Sequence, residues 1–214
     1  METLKNIVVV TASIDEPKCK LTTPAIDRRA DGVRYVAFVD KPTRHDIWEC
    51  VVVDRVHDDP CRDAKRFKVL LADAVPDADA SIWIDRHCRL TCDPLTVWDD
   101  FDEGVAVVNH SRRCVYHEAT ACLRQEKDDP ATIEKTMRRW TDEGVPRGAG
   151  LFYGGFVMRR HPVADAFSRL WWAFIEFGSR RDQLTLPVAL RRSRVAVREY
   201  DRSRRPGFFM IGAK

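Results

Sequence analysis

Nothing constrains the fold of this chain more than one repeated alternation, in which short β-branched and apolar runs are separated by stretches with helical spacing. The runs are KNIVVVT (5–11), RYVAFVD (34–40), CVVVD (50–54), ASIWID (80–85) and GVAVVN (104–109). Each is bounded by turn formers, the signature of strands, because branched side chains suit a pleated surface. The first, third and fourth are apolar almost without interruption, which predicts strands covered on both faces, as in a mostly parallel sheet.

Helical patterns fill the intervals. Residues 62–74 place Phe67, Leu70, Leu71 and Ala74 on one side, and 114–126 and 130–143 follow, the latter opened by Pro130. The strongest pattern is 162–177, PVADAFSRLWWAFIEF, with Pro162 at its start, Asp165 near the positive dipole end and Gly178 as a stop. Its Val163, Phe167, Leu170, Trp171 and Phe174 recur at the helical period, so the stripe reads as core rather than as a stacking surface for bases or sugars. A helix at 180–190 and a half-buried strand at 194–198 complete the series. With no repeat or low-complexity linker, the alternation predicts one α/β domain over 1–214, a mostly parallel central sheet flanked by helices. At 214 residues and 44% hydrophobic, the chain supports one core better than two thin ones.

Several function classes fall away. A net charge of +3 is too small to require a polyanionic partner. METLKNIVVVTAS runs into a strand rather than a cleavage site, and no stretch approaches the ~18 apolar residues that span a bilayer, so a cytoplasmic chain without a membrane partner is expected. The seven cysteines form no CxxC pair and read as reduced, buried thiols. A zinc site from His87, Cys88, Cys92 and Cys114 lacks the usual paired ligands. Neither a Gly-x-x-x-x-Gly-Lys loop nor G-x-G-x-x-G occurs, which removes P-loop and Rossmann dinucleotide chemistry.

In open parallel sheets, ligands bind beyond the carboxyl ends of the strands. The polar residues there are Thr11, Ser13 and Asp15, then Asp40, then Asp85 and His87, then Asn109 and His110. Asp85 and His87 share one side of an extended segment, and a carboxylate with an imidazole can hold Mn²⁺ or a similar ion; a turn cap beside a surface histidine is the plainer alternative. Arg62, Lys65, Arg66 and Lys68 can grip phosphate oxygens or form a solvated helix face. Gly154-Gly155, within GLFYGGFVMRRH, implies a hairpin turn, a bend or close backbone approach to a ligand. Asp182 and Gln183 follow Ser179 where a helix start favours a carboxylate.

The order of VTA, FVD, the basic R-x-x-K-R-F-K helix, SIWID, CVYHEA, YGGFVMRRH and a tryptophan-rich helix before RDQL resembles the glycosyltransferase-like domain family of TOD1/MUCI70 type. That family was once described only as a domain of unknown function. The resemblance runs from about residue 5 to about 200, and it is specific from Ser81 to Leu184. It implies a GT-A-like fold in which Asp85 stands at the first position of an Asp-x-Asp-type motif and His87 at the last, departing from the usual carboxylate. It further implies a UDP-sugar or other nucleotide-sugar donor, Mn²⁺ or Mg²⁺ at Asp85 and His87, and transfer to a hydroxyl of a glycan, a protein or a modified DNA base. Under it, Thr11, Ser13 and Asp40 line the nucleoside pocket, Arg62, Arg66 and Lys68 approach the phosphates beside Gly154 and Gly155, and Asp182 is the base, with Glu118 in reserve.

Two other readings compete. RRSRVAVREYDRSRRPG carries seven arginines from Arg191 to Arg205, which suggests nucleic-acid binding or sugar transfer to DNA. Asp85, His87, Asp93 and His110 suggest a metal-dependent phosphoesterase, with fewer carboxylates and histidines than such centres usually gather.

Overall fold

The computed structural model describes residues 4–15, 21, 30–99, 101–102, 104–162 and 164–211. Strands β1 (Ile7–Ser13), β2 (Val33–Val39) and β3 (Glu49–Val52) precede helices α1 (Pro60–Val69) and α2 (Leu71–Ala74). Strands β4 (Ala80–Ile84), β5 (Cys88–Leu90) and β6 (Val105–Asn109) lead to helices α3 (Val115–Arg124) and α4 (Pro130–Asp142). Then come β7 (Phe152–Arg160), α5 (Asp165–Glu176), α6 (Leu186–Ser193), β8 (Val197–Tyr200) and β9 (Phe209–Ile211). Asp182–Leu184 and Arg202–Gly207 are 3-10 turns.

One seven-stranded sheet has the order β3-β2-β1-β4-β7-β6-β8. Only β7 runs antiparallel to its neighbours, so the expected mostly parallel sheet flanked by helices is present. Strand β1 lies between two parallel neighbours and is buried along its length, as its unbroken apolar run requires. Strand β3 departs from expectation: it ends the sheet and leaves Glu49 and Val52 exposed. Apolar composition alone does not separate an edge strand from an inner one.

Local chemistry accounts for the shifted boundaries. Asp59 accepts a hydrogen bond from the Cys61 amide at 3.0 Å, and Pro60 occupies the first turn, so α1 starts two residues earlier than expected. Leu70, at φ −89° and ψ 51°, divides the expected 62–74 helix in two. Helix α5 begins at Asp165; the His161–Pro162 bond before it is cis, and Val163 lies outside the described residues. The 180–190 segment enters its α-helix only at Leu186. Arg194 ends that helix in the left-handed region, which delays the expected 194–198 strand to Val197. GLFYGGFVMRRH is no hairpin turn; most of it is the nine-residue strand β7.

The cores lie on both faces of the sheet. Phe167, Trp171 and Phe174 pack with Val10 and Trp83 on one, confirming the aromatic stripe as core. On the other, Phe156 stacks with Phe209 at 5.3 Å and Tyr200 packs against Phe208 at 4.6 Å. The arginine-rich end is thus no free tail: β8 pairs with β6, and β9 forms a small sheet with β5, directly after the Asp85 segment. Among the described residues no helix is long and apolar enough to cross a membrane.

Candidate functional site

A cleft of about 640 Å³ opens at the carboxyl ends of β1 and β4, reaching Ala12, Asp15, Lys65, Asp85, His110 and Tyr153. Asp85 follows β4 directly, and its amide donates to the Gly155 carbonyl at 2.9 Å. Its Oδ1 accepts from the Trp83 indole at 2.7 Å and lies 3.6 Å from Lys68 Nζ. No hydrogen bond to its Oδ2 forms among the described residues, and the side chain is 21% exposed toward the cleft.

Lys65 and Lys68 stand three residues apart and therefore share a face of α1. Between them lies Asp182: Oδ1 is 3.2 Å from Lys65 Nζ, and Oδ2 accepts a short hydrogen bond from Lys68. Lys68 is fully buried and Asp182 nearly so, whereas Lys65 retains 14% exposure. Indoles of Trp83 and Trp171 flank the Lys68 ammonium at 5.7 and 5.8 Å, where the ring faces attract a cation.

Burial opposes charge on both aspartates, yet Lys65, Lys68 and Arg181 outweigh it at Asp182 and hold that carboxyl well below the usual range. Lys68 and Lys65 do the same for Asp85, against burial and the repulsion of Asp182. Burial also works against charge on Lys65, but Asp182 and Asp85 prevail and lift its ammonium above the ordinary lysine range. Lys68 is drawn below that range by burial.

The glycine pair gives this cluster its room. A Cβ at Gly154 would lie 2.9 Å from Asp182 Oδ2 and 3.2 Å from Lys68 Nζ, and one at Gly155 would lie 3.2 Å from Asp85 Oδ2. The close approach at these glycines is made by the chain's own charged side chains, where the sequence reading had named a ligand.

Other expected site residues are placed elsewhere. Strand alternation turns Thr11 and Ser13 away from Ala12 and Ile14, onto the Val9 face, so they do not line the cleft. Asp40 Oδ2 accepts the Asp15 amide at 2.8 Å and fixes the turn after β1. Arg62 is drawn off to the end of α5, donating to the carbonyls of Ile175 and, at 2.9 Å, Gly178. Arg66, four residues on, lies over the Phe67 ring at 5.6 Å and is not a cleft residue. Neither arginine lines the cleft, to which α1 contributes Pro60, Cys61, Ala64 and Lys65.

Glu118 is also reassigned: it is buried against Arg112 at 2.5 Å and Cys122 at 3.6 Å, outside the cleft lining. Asp182 is enclosed by ammonium groups, and a carboxyl so strongly held ionised has little affinity for a proton, which counts against the base expected there. Sequence reading offered Lys65, with its basic neighbours, as able to grip phosphate oxygens, but the family resemblance carried only Arg62, Arg66 and Lys68 to the phosphates. The three-residue spacing of Lys65 from Lys68 was the available signal. Sequence reading did not find Arg181, which precedes Asp182, or Tyr153, whose ring meets His110 at 4.7 Å, the latter since β7 was not read as a strand.

Among the described residues no group of three or more His, Cys, Asp or Glu side chains can hold a metal ion. That removes the basis for the zinc and phosphoesterase clusters. His87 lies exposed on the cleft, and Asp85 Oδ1 already faces an ammonium, so the donor set does not fit a protein-built divalent site. Cys88 and Cys92 are pushed up to about 12 by burial, as inert core thiols.

The family model described as TOD1/MUCI70, glycosyltransferase-like domain, matches residues 2–201. A protein of Arabidopsis thaliana named "Probable hexosyltransferase MUCI70" is 26% identical over 228 residues, an alignment covering 92% of this chain. The chain spans 39% of that relative's length.

Proposed function

The chain belongs to the TOD1/MUCI70 glycosyltransferase-like family, and from that premise we propose that its cleft transfers a sugar from a nucleotide-sugar donor, with UDP-sugars the first choice, to a hydroxyl acceptor. The observation carrying this reading is the Lys65–Asp182–Lys68–Asp85 array at the carboxyl ends of parallel strands. In the reaction the acceptor oxygen bonds to the anomeric carbon while the bond from that carbon to the diphosphate oxygen breaks, and the acceptor's hydroxyl proton passes to the departing diphosphate or to solvent. Negative charge develops on the departing nucleoside diphosphate, and fixed cations facing it stabilise the transition state. Lys65 is the cation of the array with access to the cleft. Asp85 offers Oδ2 to ribose or sugar hydroxyls while Trp83 and Lys68 hold Oδ1.

The test is a hydrolysis screen across UDP-, GDP- and dTDP-sugars, following released nucleoside diphosphate by chromatography. One donor class should be cleaved, and Asp85→Asn should lower kcat/KM for it about 100-fold. Failure of every donor to react or to raise the melting temperature would refute the reading.

A further inference from the structure

We infer that the donor diphosphate is held by the ammonium of Lys65, fixed in place by Asp182 and Lys68, and that its binding needs no divalent ion. This inference rests on the transferase reading above. The first observation is the donor set: among the described residues no group of three or more His, Cys, Asp or Glu side chains joins Asp85 and His87 to hold a metal ion, and Lys68 Nζ lies 3.6 Å from Asp85 Oδ1. A divalent ion at that oxygen would sit beside a buried ammonium that cannot withdraw into water. The second is that charge suited to phosphate is already present on the cleft wall. Lys65 has three N–H donors, Asp182 occupies one direction at 3.2 Å, and the others remain for phosphate oxygens.

Third, the same wall carries Lys127 and Arg181, and Arg181 Nε is buried without a hydrogen-bond partner among the described residues. A buried guanidinium N–H without an acceptor is costly unless a ligand supplies one. Fourth, the supporting groups are rigid: Asp182 is held from both sides by lysines, and Lys68 sits between two indoles. Preorganisation of this kind gives a fixed charge much of its strength toward a phosphoryl group. Lys68, fully buried, acts as a positioning residue through Asp182 and Asp85.

Isothermal titration with UDP and with inorganic pyrophosphate, in EDTA and again in Mn²⁺, tests the inference. UDP should bind in EDTA with an affinity within about threefold of that in Mn²⁺. Lys65→Met should weaken metal-free binding about 30-fold or more, Lys65→Arg should restore most of it, and Arg66→Gln should leave it unchanged. Thermal melts of each variant separate lost binding from lost folding. UDP binding that requires Mn²⁺, or metal-free binding indifferent to Lys65→Met, overturns the inference and leaves the transferase reading standing. Failure of both UDP and pyrophosphate to bind under either condition overturns the inference, and the transferase reading falls with it only if the screen across UDP-, GDP- and dTDP-sugars also fails.

Discussion

Two cation-rich parts of the molecule are built on opposite plans: helix α1, which lines the cleft with Lys65, and the C-terminal segment, of which Phe209 and Ile211 reach it. On the α1 wall, Lys65 and Lys68 are buried around Asp182 and Asp85, with each ammonium held by a carboxylate. In the C-terminal segment, outside the cleft lining, Arg204 lies over the rings of Tyr200 and Phe208 at 5.2 and 5.7 Å, and Arg205 over Tyr153 and Phe209 at 5.7 and 5.8 Å. Burial with counter-ions fixes a charge in space at a high desolvation cost. Stacking on a surface ring keeps a charge solvated and contributes little energy. A site that must meet a developing charge at one point calls for the first plan, and the second supplies a forgiving surface.

The sharpest way to break this contrast is to unpair the buried wall. Asp182→Asn leaves Lys68 facing a neutral amide in an enclosed site, and the expected loss is about 3–5 kcal/mol of folding stability. Chemical denaturation measures it. The double variant Lys68→Met/Asp182→Asn should recover part of that loss, because the fully buried Lys68 ammonium no longer stands opposite a missing partner, although Lys65 and Asp85 each still lose one. If the two single losses simply add in the double variant, the buried ions are independent and the contrast between the two regions fails.

The arginine segment should respond far less. Arg204→Ala and Arg205→Ala are each expected to cost about 0.5–1 kcal/mol. A larger loss in either would show that this segment is as fixed as the buried wall.

What the sequence revealed divides along the same line. Strands β1, β2, β4 and β6 were legible because alternation with helices and unbroken apolar runs report burial directly. Asp85 was legible because it interrupts such a run. Strand β7 was missed, since Gly154 and Gly155 look like a turn until the charged groups needing their space are known. Asp182 was chosen for its neighbourhood, but its chemistry is set by lysines 114 and 117 positions away in sequence, and spacing carries no trace of that. Arg62 and Arg66 looked equivalent to Lys65 and Lys68; only the direction α1 presents to the sheet distinguishes them. The arginine-rich end suggested nucleic-acid binding because its charges dominate the pattern, and the short apolar run 208–211 that anchors it follows after them.

Acid gives the smallest and most selective probe. The carboxyls of Asp182 and Asp85 lie below the ordinary aspartate range in the folded state, despite burial, because lysines surround them. In the unfolded chain each returns to about 3.9, so that chain takes up protons first as the pH falls. Their contribution to stability is therefore complete above the unfolded value and drains away as the pH drops through it toward the folded one. At about pH 4 the loss from one such carboxyl is only ~0.3 kcal/mol, and it steepens below. Asp182→Asn has no carboxyl to protonate at this position, so its stability should fall less steeply with acid than wild type between about pH 5 and pH 3. Arg204→Ala and Arg205→Ala remove no acid group and should run parallel to wild type. Parallel curves for all three variants would mean that Asp182 gains nothing from its lysines on folding.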